Sequence, residues 1–183
     1  MIVDRRHLLQ LSGAAALSAC SRRTTAPSPP QAAADHTIDI VDAKIELAPG
    51  VVVQTTTYNG QFPGPLLLFT EGVPVTVDIH NRTGRPEQLH WHGQKIPVDV
   101  DGAAEEGTPY IAAHGSRRIS FTPGPSGMRF YHTHVVAESD ITAGQYGGQV
   151  GPVYIEPKQN PGQYDQGIFL TLKEFGPSLS RGG

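Results

Sequence analysis

Two short histidine motifs contain the residues of this 183-residue chain whose types and spacing could do chemistry. The first motif is His90-Trp91-His92-Gly93, and the second is Tyr131-His132-Thr133-His134. On a β-strand, histidines two residues apart lie on the same face, roughly 7 Å apart at their Cα atoms. Two such strands side by side would direct four neutral imidazoles into one small volume. Because imidazole is a common ligand for copper and zinc, the motifs predict a metal site with an all-nitrogen donor set.

Other metal sites that use His-x-His pairs fit the sequence less well. A cupin site needs a glutamate three or four residues after the second histidine, where this chain has Lys95 and Ile96. A zinc hydrolase would add carboxylate ligands, and the nearby Asp99 and Asp101 leave that alternative disfavoured but open. A blue-copper site needs a cysteine thiolate. The only cysteine is Cys20, in the predicted leader, so we expect no type 1 copper in these residues.

The remainder of the sequence is typical of an all-β domain. It contains 21 glycines and 16 prolines, and from residue 37 short apolar runs alternate with turn signals such as Asn59-Gly60. Nine or so strands without a convincing helix predict a Greek-key β-sandwich over residues 37–157. The formal net charge of −3 is scattered along the chain, which argues against a nucleic-acid partner.

The first 36 residues are interpreted as an export leader and a tether. Arg5-Arg6 resembles a twin-arginine signal, and Leu17-Ser18-Ala19-Cys20 resembles a bacterial lipobox, although an ordinary signal peptide containing a cysteine is the alternative. We therefore predict a Tat-like lipoprotein signal peptide over 1–20 and a flexible tether over 21–36. The protein would be periplasmic or on the cell surface, and would contact a membrane only through a lipid on Cys20.

The end of the chain has a different character. Residues 158–166 are a polar linker, and Ile168–Glu174 is predicted to form a strand with Ile168, Leu170 and Leu172 on one face. An isolated strand cannot bury such a stripe. Either it packs back on the first domain, or the chain is the front part of a longer protein, and we favour the second interpretation.

The two motifs, in this order, resemble the N-terminal plastocyanin-like cupredoxin domain of the multicopper oxidases, the laccase-like family. The turn at Asn59–Pro65, the Glu71-Gly72 pair before alternating valines, and the segment Gly147–Pro157 resemble that family too. The resemblance covers residues 38–157 and implies a cupredoxin fold. It also implies that residues 158–183 are the linker and the start of a second, truncated cupredoxin domain.

The resemblance implies a role for each histidine of the two motifs. His90 would ligate a type 2 copper, and His92, His132 and His134 would ligate the two type 3 coppers of a trinuclear cluster. Asp101 would donate a proton or a hydrogen bond during O₂ reduction, although a plain turn role before Gly102 is equally compatible with the sequence.

The implied activity belongs to a longer protein. The enzyme would couple one-electron oxidation of a small reducing substrate, a phenol or a metal ion, to four-electron reduction of O₂ to water. The family completes its cluster with further histidines and a type 1 site from C-terminal cupredoxin domains, which these residues lack, so we expect this chain alone to be inactive. The competing hypothesis is a lipid-anchored periplasmic copper-binding protein without catalysis, which leaves the strand at 168–174 unexplained.

Overall fold

Two four-stranded sheets form the domain in the computed structural model, which describes residues 32–136, 144–159 and 162–175. The strands are β1 (His36–Ala48), β2 (Val51–Tyr58), β3 (Leu67–Thr70), β4 (Val75–Asn81), β5 (His90–His92), β6 (Ser116–Phe121), β7 (Gly127–His132) and β8 (Val150–Glu156). Helical structure within the described residues is limited to single turns at Val98–Asp101, Ala104–Glu106 and Gly144–Tyr146.

The strand order shows how the chain crosses between the sheets. One sheet has the order β2-β1-β4-β6 and the other the order β3-β8-β7-β5. The β1–β4 and β3–β8 pairs are parallel and join strands far apart in sequence, whereas the other neighbours are antiparallel. This arrangement confirms the predicted Greek-key β-sandwich of the cupredoxin type, with eight strands in the described residues against the nine or so expected.

The hydrophobic core lies between the two sheets. In β4 the inward residues Val75, Val77 and Ile79 are buried and alternate with half-buried polar residues, as the period of two in the sequence predicts. The centre of the core is aromatic. Trp91 is fully buried, and its ring centroid lies 5.0 Å from that of Phe121 and 5.8 Å from that of Tyr131.

The prediction of a strand at Ile168–Glu174 is wrong, because the structure shows no strand among residues 162–175. Apolar alternation supplies a side-chain pattern, but a strand also requires main-chain pairing with a neighbour. The segment instead contacts the domain through side chains, with the ring of Phe169 5.6 Å from that of Tyr154 and the ring of Phe175 4.9 Å from that of Phe62.

The apolar stripe predicted in that segment faces solvent. Ile168, Leu170 and Leu172 are 71%, 80% and 97% exposed. Phe169 and Phe175 therefore dock on the first domain, whereas Ile168, Leu170 and Leu172 do not.

The predicted signal peptide and Cys20 lie outside the described residues, as does most of the predicted tether. Strand β1 begins at His36, next to the predicted start of the domain. Among the described residues, no helix is long and apolar enough to cross a membrane.

Candidate metal centre

Strands β5 and β7 place the two histidine motifs side by side. They pair antiparallel, with His90 opposite His132 and Trp91 opposite Tyr131. Because side chains alternate along a strand, Trp91 and Tyr131 enter the core while the histidines project from the opposite face. The burial of Trp91 and Tyr131, each next to a histidine in its strand, thus fixes which face carries the imidazoles.

Three of the four predicted ligands converge closely. Potential ligand atoms of His90, His92 and His132 all lie within 4.8 Å of one another. Nδ1 of His92 lies 3.2 Å from Nε2 of His132. Two imidazole nitrogens bound at about 2.0 Å to one tetrahedral ion would stand about 3.3 Å apart, so this pair fits a shared metal ion.

The fourth predicted ligand, His134, lies beside this group. It lies two residues after His132, the last residue of β7, and its ring centroid lies 4.8 Å from that of His90 and 5.7 Å from that of His132. The structure therefore brings all four imidazoles to one place, but His134 is outside the tightest group of three.

In three of the histidines, Nδ1 lies within hydrogen-bonding distance of an oxygen atom. His90 Nδ1 lies 3.0 Å from the main-chain oxygen of Asp101 and 3.1 Å from its Oδ2. His132 Nδ1 lies 2.7 Å from the main-chain oxygen of Thr133, and His134 Nδ1 lies 2.6 Å from Oε1 of Glu105. Since each partner accepts a hydrogen bond, Nδ1 carries the proton and Nε2 keeps its lone pair for a metal. His92 differs, because its Nδ1 faces the cluster.

The electrostatic environment keeps the central imidazoles neutral. Burial lowers the pKa of His132 to about 4, and the three neighbouring histidines act in the same direction against the hydrogen bond to Thr133. Burial also lowers the pKa of His92, with help from His90 and His134. Both rings are therefore uncharged at neutral pH, which is the state that a metal ion requires of an imidazole ligand.

One loop delivers both carboxylates, Asp101 and Glu105, to the histidines. Thr108 ties this loop together, because its hydroxyl donates to the main-chain oxygen of Val98 and accepts from the Gly102 N–H at 2.9 Å. Gly102 has φ of 88°, and a Cβ at this position would lie only 1.8 Å from the main-chain oxygen of Leu89. Only glycine therefore lets the loop approach β5 closely enough for Asp101 to reach His90.

Sequence reasoning missed two residues of the site, Glu105 and Phe130. Phe130 stacks on His92, with ring centroids 4.2 Å apart and an interplanar angle of 16°. Its position follows from the β5–β7 register, where it lies opposite His92. The two-residue spacing of Phe130 and His132 could have indicated a shared face. No spacing relates Glu105 to His134, because a loop brings them together.

The fold and the histidine cluster define a cupredoxin domain with a candidate copper centre, and comparisons with known proteins agree. The family model described as multicopper oxidase matches residues 39–160. Multicopper oxidase MmcO of Mycobacterium tuberculosis is 30% identical over 171 residues, which cover 93% of this chain and 32% of that protein. Copper resistance protein A of Pseudomonas syringae pv. tomato is 33% identical over 118 residues, which cover 64% of this chain and 18% of that protein.

Solved structures show the same relationship. A multi-copper oxidase from Pseudomonas thermotolerans matches with a TM-score of 0.63 and 26% identity, over 72% of this chain and 32% of that one. The chain belongs to the multicopper oxidase family. It spans about a third or less of the length of these curated relatives.

Proposed function

We propose that the chain is the N-terminal part of a multicopper oxidase and supplies four histidine ligands of a trinuclear copper cluster. His90 would hold the type 2 copper, and His92, His132 and His134 would hold the two type 3 coppers. The observation that carries this proposal is the 3.2 Å approach of His92 Nδ1 to His132 Nε2, two neutral nitrogens facing one small volume. Bound copper would supply the one-electron steps that couple oxidation of a reducing substrate to four-electron reduction of O₂ to water.

Asp101 is proposed to orient His90 and to supply protons for O₂ reduction. Its Oδ2 and its main-chain oxygen both face Nδ1 of His90. The Asp101 side chain is mostly buried and lies beside the histidine cluster, where it could pass protons to the reaction site. A positioned acid of this kind is what reduction of O₂ to water requires.

The remaining part of the active site is proposed to come from one or more C-terminal cupredoxin domains. These domains would supply the other histidines, the type 1 copper and the site for the reducing substrate, so this chain alone would not turn over. The exposure of Ile168, Leu170 and Leu172, three apolar side chains close together in the sequence, supports this, because exposed apolar surface can mark an interaction site. A phenol or a metal ion would be the substrate, and a relative named for copper resistance supports the metal ion.

The location of the protein is likewise a proposal. We infer export to the periplasm or the cell surface, with a lipid on Cys20 as the only membrane contact. The support is the twin-arginine-like and lipobox-like pattern of residues 5–20.

A copper titration tests the role of the histidine cluster. Cu(I) affinity of the 183-residue chain would be measured by competition with a chromogenic chelator, for the wild type, His132→Ala and His80→Ala. We expect His132→Ala to lose more than about 10-fold in affinity, because changes even behind a ligand cost 10–100-fold. His80 lies on β4 in the other sheet, so His80→Ala should bind as the wild type does. Equal affinity of the two variants would contradict the proposed site.

The coding sequence beyond codon 183 tests the proposal that the chain is part of an oxidase. An open frame encoding His-x-x-His-x-His and then His-Cys-His would supply the missing ligands. A stop codon immediately after Gly183 would contradict the oxidase assignment and favour a copper-binding protein without catalysis.

A further inference from the structure

We propose that Glu105 is a positioning residue that fixes the ring of His134 for metal binding, an inference that rests on the proposed copper site. Oε1 of Glu105 lies 2.6 Å from Nδ1 of His134. The short distance and the pairing of a carboxylate with a ring N–H make this a charge-assisted hydrogen bond.

The position of His134 explains why it needs such a partner. His90, His92 and His132 are all within paired strands, so main-chain hydrogen bonds and the β5–β7 register fix where their side chains begin. His134 lies beyond the end of β7 and pairs with no strand in the described part of the chain. Its main chain is held nearby, because the Thr133 N–H donates to the main-chain oxygen of Gln149 at 3.3 Å and the Val135 N–H donates to Thr133 Oγ1 at 3.1 Å. These contacts place the backbone but do not orient the imidazole.

The contact with Glu105 supplies that orientation and selects the tautomer. A carboxylate that accepts from Nδ1–H leaves Nε2 unprotonated and makes it a stronger donor to a metal. It also limits rotation of the ring, so less side-chain entropy remains to be lost when a metal binds. Because the Glu105 side chain is 56% exposed, water competes for it, and we expect an effect at the lower end of the usual range.

The neighbouring Glu106 provides a matched control. It lies on the same helical turn, Ala104–Glu106, and is also exposed. Within the part of the chain that the structure describes, its side chain makes no contact with a histidine comparable to that of Glu105. Glu106→Ala therefore removes the same charge from the same turn without disturbing His134.

The tautomer of His134 can be measured without metal. Long-range ¹H–¹⁵N spectra of the metal-free, ¹⁵N-labelled chain at about pH 8 report which ring nitrogen is protonated, and the signals missing in His134→Ala assign that residue. We expect the Nδ1–H form of His134 in the wild type and in Glu106→Ala, and a shift toward the Nε2–H form in Glu105→Ala. Glu105→Gln should retain the Nδ1–H form, because its amide oxygen can still accept the hydrogen bond. An unchanged His134 spectrum in Glu105→Ala would overturn the inference.

Cu(I) affinity separates this inference from the proposed function. We expect about a 10-fold loss in Glu105→Ala and no loss in Glu106→Ala, while far-UV circular dichroism verifies that both variants fold. A wild-type chain that binds no copper but shows the expected tautomer change would count against the four histidines as a copper site in this chain, and would leave the orientation of His134 by Glu105 intact. A wild-type chain that binds copper, with neither tautomer nor affinity changed in Glu105→Ala, would overturn the role of Glu105 alone.

Discussion

The two histidine motifs share one spacing but are supported in different ways. In each, the residue between the histidines is fully buried, namely Trp91 in the first and Thr133 in the second. Trp91 lies on β5 and packs in an aromatic cluster, whereas Thr133 lies just past the end of β7 and is held by hydrogen bonds. The same His-x-His spacing can therefore be held in place by different kinds of contact. Apolar packing positions one motif, and polar contacts position the other.

The polar support of the second motif extends to a buried carboxylate. The main-chain oxygen of Gln149 accepts from the Thr133 N–H, and the Gln149 side chain donates to Oε2 of Glu87 at 3.0 Å. Arg85 Nε lies 3.0 Å from the other oxygen, Oε1, of Glu87. Burial raises the pKa of Glu87, although Gln149 and Arg85 oppose the shift by stabilising the charged form. The second motif is therefore supported by a polar network, and a mutation in the aromatic core would not test that network.

Removing the apolar support of the first motif should have the largest effect. We expect Trp91→Ala to lower the free energy of unfolding by about 3–5 kcal/mol, the usual cost of truncating a buried aromatic residue to alanine. Trp91 contacts Phe69, Phe121 and Tyr131, so the cavity would lie at the centre of the core. Urea denaturation measures the change, and Trp91→Phe should lose much less. A loss below about 1 kcal/mol would mean that aromatic packing does not hold the first motif.

Removing the polar support of the second motif should have a smaller effect. Glu87→Ala leaves the side chains of Gln149 and Arg85 without this acceptor, and we expect a loss of about 1–3 kcal/mol in the free energy of unfolding. Urea denaturation at neutral pH measures it. A loss as large as that of Trp91→Ala would erase the distinction between the two kinds of support.

The same network should respond to pH, unlike the aromatic cluster. Because the pKa of Glu87 is raised above its ordinary value of 4.5, the folded protein binds this proton more tightly than the unfolded chain does. The stability that this tighter proton binding contributes is fully present below about pH 4.5 and is lost as the pH rises through the pKa of Glu87 in the folded protein. The wild type should therefore lose stability relative to Glu87→Gln between pH 4 and pH 7. A difference between their unfolding free energies that stays constant with pH would contradict the raised pKa of Glu87.

The sequence predicted the part of the site that lies on strands better than the part that lies on loops. A period of two indicates β4, β5 and β7 because alternation along a strand is local, whereas the register that pairs Trp91 with Tyr131 comes from the structure. The contact of Glu105 with His134 depends on the path of a loop, which Gly102 and Thr108 set through long-range packing. The strand wrongly predicted at 168–174 fails for a related reason, since a local apolar pattern cannot show whether a neighbouring strand exists to pair with it.

The smallest effect on the site is expected from Asp101→Asn, and it provides the sharpest comparison between the two carboxylates. Two oxygens of Asp101 face His90 Nδ1, the main-chain oxygen at 3.0 Å and Oδ2 at 3.1 Å. The main-chain oxygen survives any substitution, so His90 should keep its Nδ1–H tautomer in Asp101→Asn, and Cu(I) affinity should fall by less than the 10-fold lower limit for outer-shell changes. Among the described residues, a side-chain carboxylate is the partner of His134 Nδ1, so the corresponding loss in Glu105→Ala should be larger. The ¹⁵N spectra and the chelator competition described above measure both variants. A change at His90 in Asp101→Asn as large as that at His134 in Glu105→Ala would show that the main-chain oxygen contributes little, and the two motifs would then depend equally on their carboxylates.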